Sequence, residues 1–190
     1  MKINSLFRST ALGAVLALGL LTTFRAAAAD TDQHGQFTAK DFKFVTDAAK
    51  GGMTEVELGQ LAQQKASNQA VKDFGQKMVD DHKKANDELM QLVSQKGATL
   101  PTDVTSTGEK RVEDHLRNLS GADFDKAYMD HMVKDHKKDV KEFERMSKDA
   151  KDPELRAWAA KTLPTLEQHL QMAESLDQTA KGEKHQSTAQ

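Results

Sequence analysis

Apolar residues recur every three to four positions through four long stretches of the chain, and nowhere do they alternate with polar residues over a useful length. That pattern predicts an all-α protein. The first stretch opens at Thr38-Ala39-Lys40-Asp41, where a Thr side chain caps the helix and an acid follows three residues on, and it runs to about Ala66. Ser67-Asn68 reads as a turn into a second helix, from about Gln69 to Lys96, stopped at Gly97. A connector from Gly97 to Gly108 holds Pro101 with several Thr and Ser, after which Val112, Leu116 and Leu119 share one face of a short helix. Ser120-Gly121-Ala122-Asp123 is a second capping box and begins a third long helix reaching about Lys148. Asp152-Pro153 caps a fourth, which runs to about Ala180 with an expected kink at Pro164 and a polar, fraying end over 181–190. Short turns within each pair of long helices and a long connection between the pairs predict an antiparallel four-helix bundle, with the short extra helix in the long connection and the domain spanning residues 38–180.

Each residue turns about 100° around a helix, so the direction of every apolar stripe can be drawn. The first stripe holds Phe44, Val45, Ala48, Gly52, Gly59, Ala62 and Ala66, with Glu55 near its centre while Glu57 faces outward. The second holds Val71, Gly75, Met78, Val79, Ala85, Leu89 and Val93, centred on His82. Met129, Met132, Val133, Val140 and Phe143 surround His136 on the third, and Leu155, Trp158, Thr162, Leu166, Met172, Ala173 and Leu176 surround His169 on the fourth. Counted from the two turns, Glu55 lies level with His82 and His136 with His169 to within about 4.5 Å of helix rise. Buried carboxylates and imidazoles are costly unless paired or bound, so four of them on inward stripes ask for an occupant. Glu55, His82, His136 and His169 are the candidate ligands of a single divalent metal, zinc, iron or copper. The alternative is a buried Glu/His hydrogen-bond network without an ion, which would serve a structural or interaction module.

Composition narrows the chemistry. The 190 residues include no Cys, which removes disulfides, thiolate metal sites and cysteine nucleophiles. Lys and Arg number 27 against 29 Asp and Glu, with no basic stripe to neutralise phosphates, so nucleic acid is not an expected partner. Lys2 and Arg8 precede an apolar run from Ser9 to Phe24, and Ala26-Ala27-Ala28-Ala29 supplies small residues for a signal peptidase. Residues 1–29 therefore read as a cleaved export signal, shorter than a membrane span requires. Cleavage before Asp30 leaves a periplasmic or otherwise exported chain with 24 basic and 29 acidic residues, a flexible lead over 30–37, and no stable membrane span.

Two further patterns touch the candidate site. Met78-Val79-Asp80-Asp81-His82-Lys83-Lys84 recurs as Met132-Val133-Lys134-Asp135-His136-Lys137-Lys138, linking the second long helix to the third rather than one hairpin to the other. Asp81 and Asp135 lie beside the seam, as acceptors behind the histidines or, more commonly for Asp, as solvated charges. Met78, Met132 and Met172 stand near the central histidines, where thioether sulfur suits copper(I), although core packing is the ordinary role of Met. His34, His115, His131 and His185 fall outside the set.

The succession Asp41-Phe42, Gly52-Met53-Thr54-Glu55-Val56-Glu57-Leu58-Gly59, Asp81-His82, Phe124-Asp125-Lys126-Ala127-Tyr128, Asp135-His136 and Leu163-Pro164-Thr165-Leu166-Glu167-Gln168-His169-Leu170 resembles the exported bacterial family of domain of unknown function 4142. The resemblance spans roughly Asp41 to Leu176 and implies a ferritin-like fold. It implies no activity. Ferritin di-iron sites draw a Glu-x-x-His pair from each of two helices, whereas Val79, Val133 and Leu166 stand three residues before His82, His136 and His169. A paired-iron oxidase is therefore not expected, no Ser-His-Asp order or phosphate loop offers other chemistry, and a single-iron oxidoreductase would need an open coordination position.

Overall fold

The computed structural model describes residues 33–100 and 107–187, so the proposed signal segment and the middle of the connector lie outside the described residues. Five helices, and no strand among the described residues, make up the fold: α1 (Ala39–Lys65), α2 (Gln69–Gln95), α3 (Thr107–Arg117), α4 (Gly121–Asp149) and α5 (Pro153–Ser187). Their ends follow the capping chemistry read from the sequence. Thr38 Oγ1 accepts from Asp41 N at 3.1 Å, Asn68 Oδ1 from Ala70 N at 2.8 Å, and Asp152 Oδ1 from Leu155 N at 2.9 Å. Gly97 sits at φ +66 beyond α2, the left-handed conformation a helix stop favours. Ser120 stands at the N-cap of α4 but its side chain makes no capping bond. Pro164 lies inside α5 without ending it, and the helix continues to Ser187, past the stop near Ala180 that composition suggests.

The helices associate as a bundle in which α1 packs along α2 and α4 along α5, with α2 also against α5 and α1 against α4. Opposite chain directions within the first pair follow from Gly59 meeting Gly75 while Gly52 meets Asn86. A Cβ on Gly59 would stand 2.5 Å from the Gly75 carbonyl oxygen, so the absence of both side chains is what lets the two backbones approach.

Two buried aspartates lock the bundle ends. Asp41 of α1 accepts from the backbone N–H groups of Lys151 and Asp152 in the α4–α5 turn, at 3.0 and 3.1 Å. Asp125 of α4 accepts from Ser67 N, Ser67 Oγ and Asn68 N in the α1–α2 turn, at 3.1, 2.5 and 3.0 Å. Donor groups of a turn that a buried helix end would leave unsatisfied are thus met by the other hairpin. The two arrangements are equivalent: Asp41 and Asp125 are 84 residues apart, as are Ser67 and Lys151, the C-caps Ala66 and Ala150, and the caps Asn68 and Asp152. The internal correspondence therefore pairs α1 with α4 and α2 with α5. The similarity of residues 78–84 to 132–138 does not follow it.

The core divides into two apolar clusters. Phe44, Leu89, Phe143 and Trp158 belong to one and Leu58, Phe74, Tyr128 and Met132 to the other. Along every long helix the inward polar residue falls between the two: Glu55 after Ala49 and before Leu58, His82 between Met78 and Leu89, His136 between Met132 and Phe143, His169 between Leu166 and Ala173. A polar belt crosses the interior. Fully burying one side chain such as Phe74 or Met78 stabilises by about 1.5–3 kcal/mol, and the two clusters supply the apolar burial against which the belt's desolvation is set.

Candidate metal centre

Glu55, His82, His136 and His169 are all buried. The three imidazoles, from α2, α4 and α5, come together with ring centroids 5.4–5.9 Å apart, and one nitrogen of each lies within 4.8 Å of the other two. Each ring keeps a nitrogen without a partner: Nε2 of His82, Nε2 of His136 and Nδ1 of His169. The opposite nitrogens of two rings are already used. His136 Nδ1 is 3.0 Å from the Met132 carbonyl oxygen, which only accepts, so that nitrogen carries the proton and Nε2 presents a lone pair. His169 Nε2 is 2.8 Å from Asp81 Oδ2, which likewise leaves a lone pair on Nδ1.

Asp81 stands behind the site as an orienting acceptor. Its carboxylate, 29% exposed, also accepts from Lys77 Nζ at 2.8 Å, one turn earlier on α2. Burial would raise it, yet the hydrogen bonds from Lys77 and His169 outweigh that and hold it below its usual range. The general weighting of Asp as a solvated charge misses this role, because the partner, His169, is 88 residues away.

Electrostatics keep the rings neutral. Burial first, then the neighbouring His136 and His169, press His82 down to about 3. Burial and then His169 lower His136 to about 4. His169 is lowered by burial against the opposing pull of Asp81. Neutral imidazole is the form that ligates a metal, so the environment pre-sets all three rings for ligation at neutral pH.

Glu55 is buried as the stripe predicts but is not one of the group whose ligand atoms lie within 4.8 Å of one another. Both of its oxygens lack a partner, and burial, followed by the charges of Asp135 and Asp139, raises it well above the ordinary carboxyl range. Of the methionines near the histidines, Met78 and Met132 are fully buried in the apolar cluster next to the belt, whereas Met172 is 37% exposed on the bundle surface. None of His34, His115 and His131 belongs to the triad; His34 instead lies against Phe42, ring centroids 4.5 Å apart and tilted by 40°.

Residues 26–176 match the family described as Domain of unknown function (DUF4142). The chain belongs to that family. Among curated proteins none matches it. Solved structures similar to this DUF4142 chain include CopM in its Cu(II)-bound form, at 15% identity and a TM-score of 0.63, covering 73% of this chain and 96% of that one. A DUF305 fragment from Deinococcus radiodurans aligns at 14% identity and a TM-score of 0.67, covering 75% and 98%. A DUF305 protein from Streptomyces coelicolor aligns at 12% identity and 0.62, covering 74% and 93%. At these identities the likeness is one of fold.

The DUF4142 triad is approached from one side. A cavity of about 100 Å³ opens between α2 and α5, lined by Asp81, His82, Ala85, Thr162, Leu166 and His169, with the Lys161–Glu88 ion pair, 2.8 Å, on its wall. His82 and His169 stand on its wall, while the partnerless nitrogens themselves are buried from solvent. Among the described residues no helix is long and apolar enough to cross a membrane.

Proposed function

We propose that this DUF4142 protein is an exported, antiparallel four-helix bundle of ferritin-like topology that holds one divalent metal ion on His82, His136 and His169. Its role is metal handling or envelope stress. The observation that carries the reading is the set of three partnerless imidazole nitrogens turned toward one region of an apolar interior. A hydrogen-bond network needs donors as well as acceptors. With the protons of His136 and His169 committed to Met132 and Asp81, two lone pairs face the third ring and no side chain supplies them. A cation satisfies all three at once, and the Asp81–His169 pair is the carboxylate–histidine arrangement that raises ligand basicity. Copper is the favoured ion: imidazole suits it, it heads the affinity order of the divalent first-row metals, and a protein of similar fold, CopM, is copper-bound. Export rests on the Ala26 to Ala29 tract, and intact mass of the native protein tests it, since a mass that retains the Leu-rich run would refute cleavage before Asp30.

Untagged protein stripped by chelator and titrated with Cu(II), Zn(II) or Fe(II) tests the metal reading. One equivalent should bind, and free metal at a hundred times Kd should add about 2.7 kcal/mol to stability. His136→Ala should abolish most of that gain and His131→Ala should keep it. No rise in Tm with any of the three ions would end the metal reading and leave the polar network.

A further inference from the structure

The three partnerless nitrogens, Nε2 of His82, Nε2 of His136 and Nδ1 of His169, are sealed from solvent, so an ion reaches them only if something moves. Two of the rings are pinned. His136 Nδ1 is held by the Met132 carbonyl oxygen at 3.0 Å and His169 Nε2 by Asp81 at 2.8 Å. Among the described residues no hydrogen bond holds either nitrogen of His82, which is also the most exposed of the three at 7%, against 0% for His136 and 1% for His169. Turning that ring breaks no hydrogen bond, whereas turning either of the others breaks one.

His82 stands on the wall of the α2–α5 cavity, and the two helices are bridged on both sides of the opening: Asp81 to His169 at one end and Glu88 to Lys161 at the other, each at 2.8 Å. The bridges are seven residues apart on α2 and eight on α5, about 10–12 Å of rise, so the helices run in opposite directions in one register. Midway in that register Ala85 comes level with Thr165, and both line the cavity. Side chains this small leave a gap of about 100 Å³ between the bridges, room for about three water volumes or for an ion that keeps part of its hydration. On the other flank of α2, Gly52 against Asn86 and Gly59 against Gly75 hold α1 close on both sides of the His82 level and leave no such gap.

An oxygen donor waits where the gap meets the rings. Both bonds of Asp81, from Lys77 Nζ and from His169, fall on Oδ2, and Oδ1 takes neither. The Asp81 side chain is 29% exposed and His82 is the next residue along α2, so a carboxylate open to water stands one helical step from the unpinned imidazole.

We propose that the α2–α5 gap is the port through which the metal ion enters and leaves the histidine site. Asp81 Oδ1 receives the ion, the His82 ring turns to bind it there and carries it inward to His136 and His169, and the Glu88–Lys161 pair bounds the opening. The port rests on the histidine reading and adds to it a path and a moving ligand.

Chelator-stripped mature protein and Cu(II) test it, with uptake followed by stopped flow, release by transfer to excess chelator, and Kd by chelator competition. Ala85→Leu, which puts a branched side chain into the gap, should slow uptake and release together by at least tenfold and leave Kd within twofold, because a blocked path raises the barrier without changing its two ends. Thr165→Leu narrows the gap from α5 and should act in the same direction, and it carries the test if Ala85→Leu does not fold. Ala70→Leu, in the separate groove beside Phe74 and Met172, should change neither rate. Wild-type rates in both plugged variants would overturn the port in favour of entry by opening of the bundle elsewhere. Weaker binding with faster release would overturn it as well, since that is the signature of a damaged site. Wild type that binds no Cu(II) would refute the histidine reading and the port with it, whereas tight binding with unchanged rates refutes the port alone.

Discussion

Lowering pH from 6.5 to 5.5 in the metal-free protein sets two buried groups against each other. Imidazoles with depressed folded-state values contribute stability that is complete above 6.5, their unfolded value, and is lost as pH falls toward about 3 for His82 and about 4 for His136. From pH 6.5 to 5.5 the unfolded state gains RT ln(11/2), about 1.0 kcal/mol for each, or about 2 kcal/mol for the two. Glu55 has the opposite sign. Burial, with the charges of Asp135 and Asp139, holds it well above the unfolded 4.5, so its contribution is complete below 4.5 and is lost as pH rises, and over the same unit the folded state recovers part of the histidine loss, at most about 1.4 kcal/mol. The net is a loss of roughly 0.6–2 kcal/mol from pH 6.5 to 5.5, with His169 adding to the loss because burial lowers it too. Above 6.5 the histidine slope fades while any slope from Glu55 has the opposite sign, so stability should stop rising with pH there. Urea unfolding followed by helical circular dichroism at constant ionic strength, with chelator present, reads these values directly. Glu55→Gln should steepen the acid-side loss to about 2 kcal/mol, and His136→Leu should flatten it by about 1.0 kcal/mol. A wild-type profile that is flat between pH 4.5 and 6.5, or slopes the variants leave unchanged, would refute the assignment of neutral rings and a neutral carboxyl in the belt.

Asp81→Asn, which weakens the acceptor that orients His169 at a part-buried position, should reduce metal affinity by roughly 10–100-fold in chelator competition while changing Tm of the metal-free protein little. Gly59→Ala should destabilise by about 1–3 kcal/mol in urea unfolding because the new Cβ meets the Gly75 carbonyl oxygen at 2.5 Å, whereas Gly51→Ala, with nothing within 4 Å, should be neutral or stabilising by up to about 1 kcal/mol. Asp125→Ala leaves the Ser67 and Asn68 N–H groups of a part-buried turn without their acceptor and should cost roughly 3 kcal/mol; Asp41→Ala should cost a similar amount by the same measurement, since it does the equivalent job at the other turn.

The helices, their starting caps and the inward direction of Glu55, His82, His136 and His169 were legible in the sequence because within one helix everything follows from a fixed rise and a turn of about 100° per residue. The same local rule located the two turns, and those turns placed the histidines close enough in level to meet. It failed where several residues beyond the helix itself take part. Met172 falls on the stripe by angle yet is 37% exposed, since a stripe's edge is buried or not according to what the neighbouring helix covers. Pro164, the site of the expected kink, lies inside α5, which continues through it to Ser187.

Only the tertiary structure decided which polar groups share a site. In sequence Asp41 looks like an ordinary first-turn acid and Asp125 like one more acid along α4, and their bonds to turns 110 and 58 residues away set the register of one hairpin on the other. That register makes residues 84 apart equivalent, a correspondence hidden in sequence because equivalent positions need share only burial, as Phe74 and Trp158 do, and not identity. It also leaves Glu55 outside the triad, and it brings Asp81 to His169. Sequence spacing determines level and azimuth within each helix, while the rotation and offset of one helix against the next depend on contacts between distant residues, and a ligand set drawn from three helices is a property of those offsets.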